Sequence, residues 1–177
     1  ADITGNKSVF KVHKDNQEYM WEPLAVRSLG KYTTTQNLYK NRFGNKIIFE
    51  EINHDLELTF RYQWSSSNKF GFVKKSKLIN TSNQSVKVSL LDGIQNIMPA
   101  SIGSDIQNQS SNLVDAYKRN ELKEATGLGI FALSAILVDK AEASEALRAN
   151  VGWSLGLENP KYLLSSLQVN DFRSKKS

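Results

Sequence analysis

The stretch KFGFVKKSKLINTSNQSVKVSLLDGIQNIMP, residues 69–99, decides how the rest of the chain is read. Two runs rich in Phe, Val, Ile and Leu flank INTSNQS, whose Asn, Ser and Thr side chains can bond their own backbone and favour a turn over continued strand. This pattern predicts a β-hairpin. In its second arm Val86, Val88 and Leu90 fall on one face, with Lys87 and Ser89 on the other, the period-2 signature of a strand with one packed and one wet side. Two strands cannot cover an apolar face alone, so neighbouring segments must supply a sheet and a second layer.

Upstream, KIIFEEI reads as a strand, Asn53, His54 and Asp55 as a turn, and Leu56, Leu58, Phe60, Tyr62 and Trp64 as one face opposite Glu57, Thr59, Arg61 and Gln63. Ser65, Ser66, Ser67 and Asn68 form a polar connection into the Phe70 strand, giving an antiparallel meander of three or four strands. Val9, Phe10 and Val12 suggest a first short strand. The run from Tyr19 to Leu29 is apolar but irregular and broken by Pro23, so a short strand and then loop are expected. YTTTQNLYKNRFGN, residues 32–45, shows neither period and reads as a long surface loop.

Downstream of Pro99 the period changes. Ile106, Leu113, Val114 and Tyr117 recur at helical spacing, predicting one amphipathic helix over 104–121 with Ser104 as N-cap. Gly127 and Gly129 then relieve crowding where the run IFALSAILV, residues 130–138, begins; that run is apolar on both faces and reads as a central, doubly covered strand. DKAEASE makes a turn, and Leu147, Ala149, Val151, Trp153, Leu155 and Leu157 alternate with Arg148, Asn150, Gly152, Ser154 and Gly156 as a further strand whose small residues allow close packing. Asn159 and Pro160 open a short helix through Leu167. The fold expected is mainly β: an antiparallel β-sandwich with one crossing helix and a short C-terminal helix, residues 1–177 forming a single domain. Phe60, Val88, Leu133 and Trp153 are expected to share its apolar filling.

The 177 residues suit one domain, which at this size removes roughly 70% of its unfolded surface from water. Apolar residues at 40% and charged residues at 23% are ordinary globular values, and no apolar run is long enough to span a bilayer, so no membrane partner is expected. Of the surplus of +5, only Lys74, Lys75 and Lys77, with Lys175 and Lys176, come near a cluster. That is less than the basic stripe or recognisable module of a nucleic-acid surface, so no nucleic-acid partner is expected either. The absence of cysteine rules out disulfides and thiolate metal sites. ADITGNKSVFK has no basic segment followed by an apolar stretch, so no signal peptide is read, and the compartment stays open.

No catalytic constellation emerges. His13 and His54 are the only histidines; His54 lies in a tight turn, and two distant histidines without cysteine make no zinc site. Gly127 and Gly129 lack the context of a dinucleotide loop, and no GK[ST] occurs, so neither metal nor cofactor is expected. Glu50 and Glu51 are adjacent in a strand, point to opposite faces and cannot converge on one glycosidic bond. Asp92, before Gly93, reads as a turn or bulge residue or as a buried hydrogen-bonding anchor. Rings can stack on sugars. Trp64 and Trp153 keep register with core positions of their strands, whereas Trp21, Tyr32 and Tyr39 lie in irregular sequence and are the candidates for an exposed ligand-binding platform.

NLYKNRFGNKIIFEEINHDLELTFRYQW, KFGFVKKSKLIN, VSLLDGIQNIMP, SSNLVDAYKRNE and EALRANVGWSLGLENPKYLLSSLQVNDF together resemble the N-terminal sandwich region of large bacterial cellobiose-phosphorylase-like and glycoside-hydrolase-like proteins, from about Leu38 to Phe172. In that family the region resembles a galactose-mutarotase-like super-sandwich and precedes a helical barrel carrying the catalytic acid. The resemblance implies a non-catalytic domain excised from a larger protein of the bacterial cytoplasm or periplasm. It carries over no catalytic residue. The partners it implies are carbohydrate, the helical barrel of the parent chain and a second copy in a homodimer; the alternatives are a stand-alone carbohydrate-binding module and a structural sandwich without ligand.

Overall fold

A computed structural model describes residues 5–137 and 146–174, which are mainly strand. They fall into two compact units, residues 6–92 and, together with Gly5, the residues from 93 onward.

In the first unit β1 (Gly5–Lys14) and β2 (Gln17–Trp21) form a hairpin closed by Asp15 and Asn16. Both residues have positive φ, the requirement of a two-residue type I′ turn and a conformation that Asp and Asn tolerate best after glycine. A single 3-10 turn follows at Val26–Ser28. Then β3 (Thr34–Lys40), β4 (Lys46–Asn53), β5 (Leu58–Ser67) and β6 (Gly71–Asn80) form an antiparallel meander paired in chain order. β7 (Lys87–Gln95) leaves that sheet and pairs with β1, giving the order β2-β1-β7.

The expected hairpin over 69–99 is therefore corrected. Its arms are β6 and β7, but they enter different sheets. The turn-forming residues between them reverse the chain without pairing its arms, and Leu78, Val86 and Val88 pack on one core. Apolar faces from the two sheets meet there, making this unit an antiparallel β-sandwich. Phe10, Val12 and Trp21 come from one sheet, Leu58 and Phe60 from the other, and Leu56 from the β4–β5 turn. The Phe10 ring lies 5.5 Å from Trp21 and 5.0 Å, edge-on, from Phe60. Such tilted and edge-to-face contacts add to the area burial of aromatic residues.

The long loop expected at 32–45 is also corrected, since seven of those residues form β3, paired with β4 from Thr34 to Lys40. As an edge strand with little apolar character β3 carries no burial period, and its backbone ladder and polar side-chain bonds to β4 fix it. The polar connection expected at Ser65–Asn68 is mostly strand, because the β5–β6 ladder continues to Ser67 and Gly71.

In the second unit the single helix expected over 104–121 is two short helices, α1 (Ser104–Gln109) and α2 (Ser111–Tyr117), followed by strand β8 (Lys118–Lys123). Gly103, not Ser104, occupies the N-cap position, and Ser110 has non-helical dihedrals. β8 pairs with β9 (Leu128–Leu133), and that ladder overrides the weak helical pattern of 118–121. β9 is central, between β8 and β10 (Ala149–Gly152), as expected, but it is fully buried on one face only: Gly129, Phe131 and Leu133 are buried while Leu128, Ile130 and Ala132 are half-buried. It ends at Leu133, however, where the Ser134 N–H donates to Tyr117 O. Val138 and DKAEASE lie outside the described residues, apart from which Ile136 is exposed. Gly127 has φ +63, and a Cβ there would clash with the Tyr162 ring, which agrees with close packing where β9 begins. The small-residue reading of β10 holds at Gly152, where a Cβ would touch Ile97 at 3.4 Å. The helix expected from Asn159 to Leu167 lies further on, as α3 (Leu167–Ser174).

Phe60 is buried in the sandwich core with Val88 packed against it, whereas Leu133 is corrected: it is buried within the second unit and does not belong to that core. Trp153 is corrected: it is 46% exposed, lying just past the end of a four-residue edge strand.

Candidate functional site

Alternation along β4 sends Glu50 and Glu51 to opposite faces of the four-stranded sheet, as the sequence requires. Glu51 faces the core with its cross-strand partner Phe60. Its carboxylate accepts the Trp21 indole N–H at 2.7 Å, the Leu24 backbone N–H at 2.8 Å and the Gln36 amide at 2.7 Å. Leu24 sits at φ 62, a conformation that costs a branched residue free energy, and the bond to Glu51 holds it there. Glu51 is a buried anchor with its lone pairs in use.

Glu50 lies on the outer face, directly opposite Asn37 on β3 and Arg61 on β5. Its Oε1 accepts Asn37 Nδ2 at 2.9 Å and the Tyr39 hydroxyl at 3.0 Å, and Oε2 accepts Arg61 Nε. These side chains close the carboxylate off from solvent although the face itself is open. Burial pushes the Glu50 carboxyl up, but the hydrogen bonds from Asn37, Arg61 and Tyr39, with the Arg61 charge, outweigh it and hold the group below its ordinary value. The Tyr39 hydroxyl, donating to that carboxylate, is raised. Arg61 remains half exposed, and its two Nη groups have no partner among the described residues. The result is a ring, an amide and an immobilised guanidinium side by side on a rigid sheet.

A second polar cluster lies on the inner face. Asp92 Oδ1 accepts Ser8 Oγ at 2.6 Å and Lys74 Nζ at 2.7 Å, and Lys74 lies 5.9 Å from the Tyr62 ring centre. Burial holds the Lys74 amine below its ordinary value, with Asp92 opposing the shift. Asp92 takes the Ser8 proton donor and stands between hydroxyl and amine, so the group is an ion-paired anchor rather than a nucleophile and its base. This decides between the two readings of Asp92, which lies within β7.

The three sequence candidates do not form one platform. Trp21 is fully buried in the core, which corrects its expected exposure: as the cross-strand partner of Phe10 it points inward. Tyr32 is half-buried against the same core, donates its hydroxyl to Met20 O at 2.9 Å, and has its phenol raised by burial. Tyr39 alone is exposed, at 46%. Its neighbours Asn37, Glu50 and Arg61 escape a reading by composition, and the register of three strands is the signal that joins them.

His54 Nε2 lies 2.8 Å from Thr35 Oγ1, bridging β3 to the β4–β5 turn, and His13 Nε2 lies 3.7 Å from Glu18. Among the described residues no group of three His, Asp or Glu could hold a metal ion, and no helix is long and apolar enough to cross a membrane. The second unit holds an apolar cleft lined by Ile102, Ile106, Leu133 and Leu147, with Ser101 and Arg148 at its polar positions. It offers a sugar few hydrogen bonds. No family model matches this chain, and no curated protein matches it.

Proposed function

We propose that this chain is a non-catalytic accessory β-sandwich domain of a bacterial carbohydrate-active enzyme, of glycoside-phosphorylase or glycoside-hydrolase type, whose outer sheet face borders a glycan cleft. The observation that carries the reading is the Tyr39–Glu50–Arg61–Asn37 constellation. A pyranose presents apolar C–H groups on its face and hydroxyls at its edge. An exposed ring beside fixed planar donors answers both requirements. The resemblance of residues 38–172 to the sandwich that precedes a helical barrel supports the accessory role, with the barrel and a second copy as protein partners.

A stand-alone carbohydrate-binding module is the second reading, favoured by the same exposed ring. The gene separates the two: several hundred residues of helical barrel encoded after Ser177 support the accessory domain, and a stop codon there contradicts it. A glycan array probed with the 177-residue chain tests binding itself. Retention of one glycan class, lost in Tyr39→Ala, is expected; no retained glycan leaves a sandwich without direct glycan contact.

A further inference from the structure

The lysines that the sequence groups as Lys74, Lys75 and Lys77 are separated by the sheet. Lys74 points inward to Asp92, while Lys75 and Lys77 share the outer face with Gln63 and Arg61, their directly opposed partners on β5. Both are exposed, and neither has an ion-pair or hydrogen-bond partner among the described residues. Like charges directly across a ladder repel each other, so Arg61 opposite Lys77 is a locally unfavourable arrangement. Lysine on the edge strand β6 has a plain structural use in discouraging edge-to-edge pairing. That use does not account for a guanidinium on β5 whose Nε is fixed by a solvent-inaccessible carboxylate while its Nη groups face no protein partner. Glu50 compensates Arg61 and leaves Lys75 and Lys77 uncompensated.

We propose that this face binds a carboxylate-bearing, uronate-type glycan, with Arg61, Lys75 and Lys77 taking successive carboxylates and Tyr39 stacking on a sugar ring. The inference rests on the glycan-binding reading of the same face and names its substrate class. Its geometry is that of the sheet: Arg61 stands about 4.8 Å across the ladder from Lys77, and Lys75 about 6.8 Å from Lys77 along β6, so the three cations form a bent set with Lys77 at its corner, spaced for the repeated charges of a polymer that turns across the two strands. The free Nη fork of Arg61 matches the two oxygens of a carboxylate, and Lys75 and Lys77 add point charges. A nucleic-acid strand fits less well, because successive bases need successive rings and this face brings only Tyr39 to the cations.

The test is a calorimetric titration of the 177-residue chain with an oligogalacturonate, a neutral oligosaccharide of equal length and single-stranded DNA. Each is run at about 0.1 M and about 1 M salt, where the Debye length falls from about 10 Å to about 3 Å. The oligogalacturonate is expected to bind at least about tenfold more tightly than the neutral sugar at low salt, and to lose that advantage at high salt. Lys75→Ala with Lys77→Ala, at exposed positions where relief of the Arg61–Lys77 repulsion keeps the melting temperature from falling, is expected to remove the preference while keeping weak binding of the neutral sugar. Equal, salt-independent binding of both sugars overturns the acidic-glycan inference but leaves the glycan-binding reading standing. Binding of neither overturns both. DNA binding as tight as the uronate and equally dependent on the two lysines assigns these cations to nucleic acid and overturns the inference.

Discussion

Two segments of this protein carry the same alternating pattern and meet opposite fates. Leu58, Phe60 and Tyr62 on β5 point into the sandwich, Leu58 and Phe60 being almost wholly inaccessible. On and around β10, Leu147, Val151, Trp153, Leu155 and Leu157 alternate as regularly and are all substantially exposed. Alternation fixes which side chains share a face. It does not supply the layer that covers that face, which β5 obtains from a second sheet containing β1, β2 and β7.

The comparison breaks most sharply under truncation. Phe60→Ala is expected to cost about 3–5 kcal/mol in urea unfolding. Leu155→Ser, on the same kind of pattern, should stay within about 0.5 kcal/mol of the parent. Equal losses would mean that Leu155 is covered in solution.

The two adjacent carboxylates of β4 extend the contrast between buried and open faces. Glu51→Ala strands the indole of Trp21, the Leu24 N–H and the Gln36 amide, and is expected to cost about 2–4 kcal/mol. Glu50→Gln keeps acceptors for Asn37 and Tyr39 but loses the ion pair to a half-exposed Arg61, so about 1 kcal/mol is expected at neutral pH. The folded Glu50 carboxyl titrates below its ordinary value of 4.5, so the native state binds this proton less readily than the unfolded chain. Its contribution is therefore complete above that pH and fades as pH falls through the lower folded value. Urea midpoints of parent and Glu50→Gln should converge on acidification. Divergence there would contradict the assigned sign.

The smallest expected effect concerns association. The exposed Leu147 and Leu155 offer apolar surface suited to a further layer, and Leu147→Ser with Leu155→Ser should lower the apparent mass in light scattering without moving the melting temperature. A parent chain that is strictly monomeric at high concentration would contradict this.

What could be read from residues alone follows the same division. β5 is legible because its apolar residues alternate with polar ones, and β4 because Ile47, Ile48 and Phe49 crowd β-branched and aromatic side chains before a turn. β3 is not, since an edge strand with polar side chains is held by backbone pairing that leaves no apolar signature. The arms of 69–99 are legible as strands, but their partners are not: β7 joins β1, and Asp92 meets Ser8 across 84 positions. In the same way Tyr39 stands out by exposure and ring chemistry, whereas Glu50 and Arg61 become a site only when the register sets them opposite each other. Trp21 misleads because Pro23 and the irregular residues after it hide the hairpin that turns its ring inward.

The account stands on the outer face of β3, β4 and β5 being the glycan-facing surface. An NMR titration of the labelled chain with oligosaccharide tests this most directly, because each amide reports its own surroundings. Perturbations concentrated at Asn37, Tyr39, Glu50 and Arg61, and absent in Tyr39→Ala, are the expected result. Perturbations confined to the residues from 93 onward, or none at saturating sugar, would contradict it.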